Sequence, residues 1–105
     1  MKKVTERRRV HRCLMESELI LFHRSIPVKA RLLDLSIRGA RVVTTEYLRK
    51  QTPITLLLPV SSRHSLMLKA RVSFYREGNG AGIKFISLTQ HQEDQITELI
   101  KTFTL

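Results

Sequence analysis

One stretch of the sequence decides the fold: LMLKARVSFY, residues 66–75. Apolar and polar side chains alternate through it, which is the period-2 pattern of a half-buried β-strand. Residues 77–80, Glu-Gly-Asn-Gly, then predict a tight hairpin turn, because Asn and Gly readily adopt the positive φ that such turns need. We expect residues 81–86 to form the return strand. The apolar face of the first strand is predicted to hold Leu66, Leu68, Ala70, Val72 and Phe74.

Four more strands are predicted ahead of this hairpin, each a short alternating or β-branched run. Short polar or proline-containing segments separate them, and we predict a turn at residues 25–27. The predicted strands cover residues 19–22, 28–33, 40–44 and 53–59, the last bounded by prolines.

The periodicity changes near the C-terminus. Apolar residues from Ile96 to Phe103 recur at i, i+3, i+4 and i+7, which is one face of an α-helix. Thr89, with Gln92 three residues later, forms a capping box that marks the start of this helix. The sequence therefore predicts an all-β fold with one helix, in which a six-stranded antiparallel β-barrel is followed by a C-terminal α-helix.

The chain has 105 residues, which suits one compact domain. Its net charge of +10 is uneven, because residues 1–12 carry six basic residues and one acidic residue and so contribute +5. We expect residues 1–12 to be a flexible basic arm and residues 13–105 to be a single barrel domain. An excess of positive charge implies an anionic partner.

Several classes of function are not favoured by the sequence. Cys13 is the single cysteine, so an internal disulfide is excluded, and the four histidines are scattered without metal-ligand spacing. No nucleophile–base or acid–base constellation is visible, so we expect no catalytic residues, no metal and no enzyme activity. No apolar run is long enough for a secretory signal or a membrane span, and we expect a cytoplasmic protein without membrane insertion.

Residues 6–12, ERRRVHR, place four arginines in the basic arm. Arginine is always charged, presents a planar fork of donors and stacks on flat rings, which suits a ligand that is both anionic and aromatic, such as a nucleotide. Taken alone, a basic tail is equally typical of a solvated segment or a nonspecific polyanion binder. The arginines in question are Arg7, Arg8, Arg9 and Arg12.

A second motif, Asp34-x-Ser36-x-x-Gly39, interrupts the predicted strands. Asp and Ser can bond to nearby backbone groups, and Gly39 permits a positive φ, so the motif predicts a turn. A carboxylate there could also accept hydrogen bonds from guanine N–H groups, a hydroxyl could donate to a phosphate, and a glycine would let the backbone approach a ligand.

Together, Arg8-x-x-x-Arg12 and the later Asp34-x-Ser36-x-x-Gly39 resemble the two-part signature of PilZ domains. The order of the predicted strands and helix is similar to that family over nearly the whole chain. The resemblance implies a six-stranded β-barrel that binds the bacterial second messenger cyclic di-GMP, a ligand and not a cofactor. The binding residues it implies are Arg7, Arg8, Arg12, Asp34, Ser36 and Gly39, with Arg9 and Arg38 as auxiliary contacts.

This resemblance implies a receptor or adaptor whose arginine arm becomes ordered over the ligand and signals to an unidentified downstream protein, in bacterial motility, biofilm or virulence control. Two alternatives stay open. A small basic barrel can bind single-stranded nucleic acid, although the aromatic content of 6% without Trp does not favour specific binding of that kind. A PilZ-like adaptor could instead bind protein and no nucleotide.

Overall fold

The computed structural model describes residues 18–61, 63–78 and 80–103 of the chain. Within this part, six antiparallel strands close into a barrel and one helix follows, which confirms the predicted fold class. The elements are β1 (Glu18–His23), β2 (Ile26–Leu35), β3 (Gly39–Val43), β4 (Pro53–Pro59), β5 (Ser65–Arg76), β6 (Gly80–Phe85) and α1 (Gln90–Phe103). Around the barrel the strands follow the order β1–β2–β3–β6–β5–β4, and β4 pairs with β1 to close it.

The first turn differs from its prediction. Ile26 and Pro27 belong to β2, and the turn consists of Arg24 and Ser25 alone. Both turn residues take a positive φ, 56° and 66°, which is what a two-residue hairpin loop requires to match the twist of its strands. The predicted turn at residues 25–27 is therefore wrong. Proline is common in turns, but here Pro27 lies within β2, where it is the Cα partner of Phe22.

The β5–β6 hairpin is formed as predicted. Gly78 and Gly80 take φ values of +84° and +95°, and Asn79 lies outside the described residues. β5 is the longest strand, with 12 residues, and it pairs with both β4 and β6. β5 and its two neighbours are therefore half of the six strands of the barrel.

The inward-facing side chains of all six strands form one apolar core, which includes the fully buried Leu32, Val42 and Leu68. Ile96 and Leu99 of α1 are part of the same core. Among the described residues no polar or charged side chain is buried. Polar chemistry in this part of the chain consequently lies on the outer surface of the barrel.

The capping box of α1 is formed as predicted. The Thr89 backbone N–H donates to Gln92 Oε1 at 2.9 Å, and the Gln92 backbone N–H donates to Thr89 Oγ1 at 3.1 Å. Gln92 Nε2 also donates to the Met67 carbonyl oxygen at 3.1 Å, which joins the start of α1 to β5. The side chain of Phe103, predicted to share the apolar face, is outside the described part.

Candidate functional site

A β-bulge turns Asp34 toward solvent. Leu32 and Leu35 are both buried, and their partners on β3 are Val42 and Ala40. The two residues between them on β2 oppose the single residue Arg41, so an extra residue is inserted in β2. With regular alternation Asp34 would share the inward face of Leu32, and its carboxylate would be buried in the core.

A second bulge, on β5, turns Phe74 to the outer face of the barrel. Val72 pairs with Ile83 and Tyr75 pairs with Ala81, and the two intervening residues of β5 oppose only Gly82. Phe74 is 39% exposed as a result. Its predicted place on the apolar inner face of β5 is therefore wrong, because the bulge moves it to the outer face.

The two bulges align one row of outer residues across four strands. We call this the Asp34 row: Asp34 on β2, Arg41 on β3, Gly82 on β6 and Phe74 on β5 are successive Cα partners. Bulges are frequent beside binding sites because they redirect side chains. The row therefore brings a carboxylate, a guanidinium and an aromatic ring onto one face.

The bend between β2 and β3 is held by Ser36. Its backbone N–H donates to the Gly39 carbonyl at 2.8 Å. Its Oγ accepts from the N–H groups of Arg38 and Gly39 at 3.2 and 3.3 Å, and donates to the Gly39 carbonyl at 3.3 Å. The bend is therefore preformed, and the backbone itself satisfies the serine hydroxyl.

Gly39 is needed for close packing of two strands and not for a positive φ. Its φ is not positive, so the expectation of a left-handed conformation is wrong. A Cβ built on Gly39 would instead overlap the carbonyl oxygen of Ile83 on β6. Glycine is needed here because β3 and β6 pack too closely for any side chain.

An open cleft of about 410 Å³ lies over these elements. Asp34 is the one acid among its lining residues, and its Oδ2 is 3.9 Å from Arg41 Nε across the strands. The two side chains are 30% and 48% exposed, so this ion pair is partly solvated and open to competition. The cleft is lined by Asp34, Ser36, Arg38, Gly39, Ala40, Arg41, Ser73, Phe74, Gly82, Ile83 and Lys84.

Phe74 forms a flat shelf at one side of the cleft. Its ring covers Gly82, where a Cβ would overlap the ring atoms, so the two residues fit only because Gly82 has no side chain. The Arg76 guanidinium carbon lies 5.4 Å from the ring centroid, within the range of a cation–π contact. Because the ring is partly exposed, another planar group could stack on it by displacing this guanidinium.

The structure thus brings together four of the predicted binding residues: Asp34, Ser36, Arg38 and Gly39. The predicted contacts Arg7, Arg8, Arg9 and Arg12 lie outside the described residues. Sequence reasoning did not single out Phe74, Arg41 and Lys84, which also line the cleft. The sequence holds one trace of the bulge at Phe74, since the adjacent aromatics Phe74 and Tyr75 interrupt the apolar–polar alternation of β5.

A second, larger cavity of about 560 Å³ lies between β1, β4 and β5. Its lining includes Phe22, Ile54 and Met67 and none of the predicted binding residues. Within residues 18–61, 63–78 and 80–103, no group of three His, Cys, Asp or Glu side chains could hold a metal ion. No helix in that same part of the chain has the length and apolarity needed to cross a bilayer.

A protein-family model described as "PilZ domain" matches residues 6–102. Solved structures of similar fold include two PilZ-related examples. The PlzA protein of Borreliella burgdorferi in complex with c-di-GMP aligns with a TM-score of 0.63 and 13% identity, covering 79% of this chain and 32% of that one. The PilZ domain of CeSA from a cellulose-synthesizing bacterium aligns with a TM-score of 0.64 and 21% identity, covering 84% and 94%.

The chain therefore spans about a third of the PlzA protein, while it corresponds to nearly the whole CeSA domain. No curated protein sequence matches the chain significantly. At 13% and 21% identity, the two structures are evidence for the fold alone. The family match over residues 6–102 includes both parts of the motif, residues 8–12 and residues 34–39.

Proposed function

The chain belongs to the PilZ domain family, and from this membership we propose that it is a cytoplasmic binding module for cyclic di-GMP without catalytic activity of its own. The observation that carries the proposal is the Asp34 row, in which a bulge holds a carboxylate outward beside the preformed bend at Ser36. The complex of PlzA with c-di-GMP supports the same ligand class in a protein of similar fold.

Asp34 is suited to a guanine base. Its carboxylate can accept two hydrogen bonds from the N1–H and N2 amino groups of guanine, once the long contact of 3.9 Å to Arg41 is given up or shared. Arg41 would then remain beside the ligand as a cation for a phosphate or a guanine oxygen. Ser36 contributes by fixing the bend, and its hydroxyl could turn from the Gly39 carbonyl toward a phosphate oxygen.

The basic arm is tethered at the correct end of the barrel. Glu18, at the start of β1, has Arg31 as its Cα partner, three residues before Asp34 on β2. That stretch of β2 is about 10 Å long, whereas the six residues from Arg12 to Glu18 can span up to about 20 Å. The length of the tether therefore allows Arg8 and Arg12 to reach a ligand held at Asp34.

Charge-assisted forks from these arginines to phosphate would complete the binding site. We propose that the arm becomes ordered over the ligand and so changes the surface offered to an unidentified downstream protein. In this mechanism the barrel supplies the fixed wall, and the arm supplies the part that responds to the messenger.

Calorimetric titration of the full chain tests this function. We expect saturable binding of cyclic di-GMP, and we expect a single-stranded DNA oligonucleotide not to displace it at physiological salt. If the oligonucleotide binds and competes, the basic barrel is a nucleic-acid binder, since phosphate contacts would then dominate. If neither ligand binds, the protein-only adaptor is favoured.

We further predict that Phe74 stacks on a guanine base. Phe74→Leu keeps apolar cover over Gly82 but removes the aromatic face, and should weaken cyclic di-GMP binding roughly tenfold, because base–aromatic stacking contributes about 1–3 kcal/mol. Phe74→Tyr should bind as the wild type does. Isothermal calorimetry of the three proteins measures the difference.

Tyr47 provides the matched control for this stacking. It is 65% exposed, makes an edge-to-face contact with Tyr75 at 5.1 Å and does not line the cleft. Tyr47→Leu should leave the affinity unchanged. Equal affinities for Phe74→Leu and the wild type would show that the ring only covers Gly82.

A further inference from the structure

Three cross-strand pairs in the described part of the barrel set two charged residues directly opposite each other. Two of them are of opposite sign, Glu18 with Arg31 and Asp34 with Arg41. The third, Arg71 on β5 with Lys84 on β6, is of like sign. Like charges in direct opposition destabilise a sheet, so this pair needs a physical reason.

The pair adjoins the cleft. Gly39, Lys84, Arg71 and Pro53 are successive Cα partners across four strands, and we call them the Lys84 row. It lies two residues from the Asp34 row on β3 and β6, and three on β5 because of the bulge, a distance of about 7 Å on the same outer face. Lys84 itself lines the cleft, and its neighbour Gly39 has no side chain that could block it.

Neither cation has a partner within the part of the chain that the structure describes. Both side chains are exposed, and the two ion pairs found there involve other residues, Asp34 with Arg41 and Glu98 with Lys101. The Lys84 row contains no acid. An anion placed between the two side chains would add two attractions that offset their mutual repulsion.

We propose that Arg71 and Lys84 form a phosphate subsite at the far end of the cleft, an inference that rests on the proposed function. The guanidinium of Arg71 offers a two-donor fork and the ammonium of Lys84 a point charge, which together suit one phosphodiester group. The arm takes one phosphate of the ligand and the Lys84 row takes the other. The subsite therefore selects ligands with two phosphates over mononucleotides.

The double variant Arg71→Gln/Lys84→Gln tests this subsite. Its affinity for cyclic di-GMP should fall roughly tenfold or more, because two charge-assisted contacts are lost. Its affinity for cyclic GMP, which has one phosphate, should change by less than about threefold, the residual effect of net charge. Its melting temperature should equal or exceed that of the wild type, since a like-charge pair is removed.

Arg49→Gln/Lys50→Gln is the matched control, because it removes the same charge from two exposed residues of the β3–β4 loop outside the cleft. It should bind both nucleotides as the wild type does. Equal losses in the two double variants, or no loss in Arg71→Gln/Lys84→Gln while the wild type binds cyclic di-GMP, would overturn the subsite and leave the proposed function intact.

Inorganic pyrophosphate gives a readout that does not depend on the messenger. It should raise the melting temperature of the wild type and of the Arg49→Gln/Lys50→Gln control, and raise that of Arg71→Gln/Lys84→Gln clearly less. If the wild type binds no cyclic di-GMP, the proposed function fails. An equal pyrophosphate shift in all three proteins would then reject the subsite as well.

Discussion

Gly39→Ala is expected to destabilise the barrel by about 3 kcal/mol, with a fall in melting temperature of about 10 °C or more. The added Cβ would overlap the Ile83 carbonyl oxygen, which is a backbone atom that cannot swing aside. Relief requires β3 and β6 to separate, and they are hydrogen-bonded neighbours in the closed barrel. Urea denaturation followed by circular dichroism measures the loss.

Gly78→Ala separates close packing from backbone conformation. Gly78 has a φ of +84°, but no atom lies within 4 Å of a Cβ built on it. Alanine there should cost about 1 kcal/mol, the strain of a left-handed residue. If the two alanine variants were equally stable, the close approach of β3 and β6 at Gly39 would not explain the glycine.

This contrast affects how the motif is interpreted. A loss of cyclic di-GMP binding in Gly39→Ala would reflect the displaced wall of the cleft and would not establish a direct contact between Gly39 and the ligand. Asp34 differs in this respect, because its side chain is partly exposed and can be replaced without entering the core. Replacing Ser36 would also remove the hydrogen bonds that hold the bend.

The strands and the helix could be predicted because each has a local cause. Alternation identifies β5, prolines bound β4, and the reciprocal bonds of Thr89 and Gln92 start α1. The apolar–polar alternation of a strand does not show where a bulge lies. It therefore does not fix the face that a side chain takes beyond the bulge. One inserted residue reverses every later position, which is why Phe74 was placed on the wrong face.

In the structure, the spacing of buried residues marks the bulge on β2. Inward residues of a regular strand are two apart, whereas Leu32 and Leu35 on β2 are three apart and both buried. Only the structure relates the bulge on β2 to the one on β5, since the closure of the barrel places Asp34 and Phe74 in one row. The Arg71–Lys84 opposition was hidden for the same reason, because cross-strand register is a property of the assembled sheet.

Arg8→Ala/Arg12→Ala is expected to have the largest effect on ligand binding. Each arginine would contribute at least one charge-assisted bond, worth about 1.5–3 kcal/mol, so the loss of both should lower the affinity for cyclic di-GMP about 100-fold or more. Asp34→Ala should also weaken binding, but less, because it removes one charged group where the arm variant removes two, and because it frees Arg41 to contact the ligand. Calorimetric titration at physiological salt gives these affinities.

A second double variant in the same arm distinguishes specific contacts from general attraction. Lys2→Ala/Lys3→Ala removes the same two charges from outside the motif, and screening at physiological salt should hold its effect below about threefold. A two-donor contact from a guanidinium to a phosphate cannot be replaced by a nearby positive charge. The affinities of the two variants for cyclic di-GMP should therefore differ by more than an order of magnitude. Comparable losses would mean that the arm acts only through its positive charge, and that specific contacts to the messenger come from Asp34 and its row.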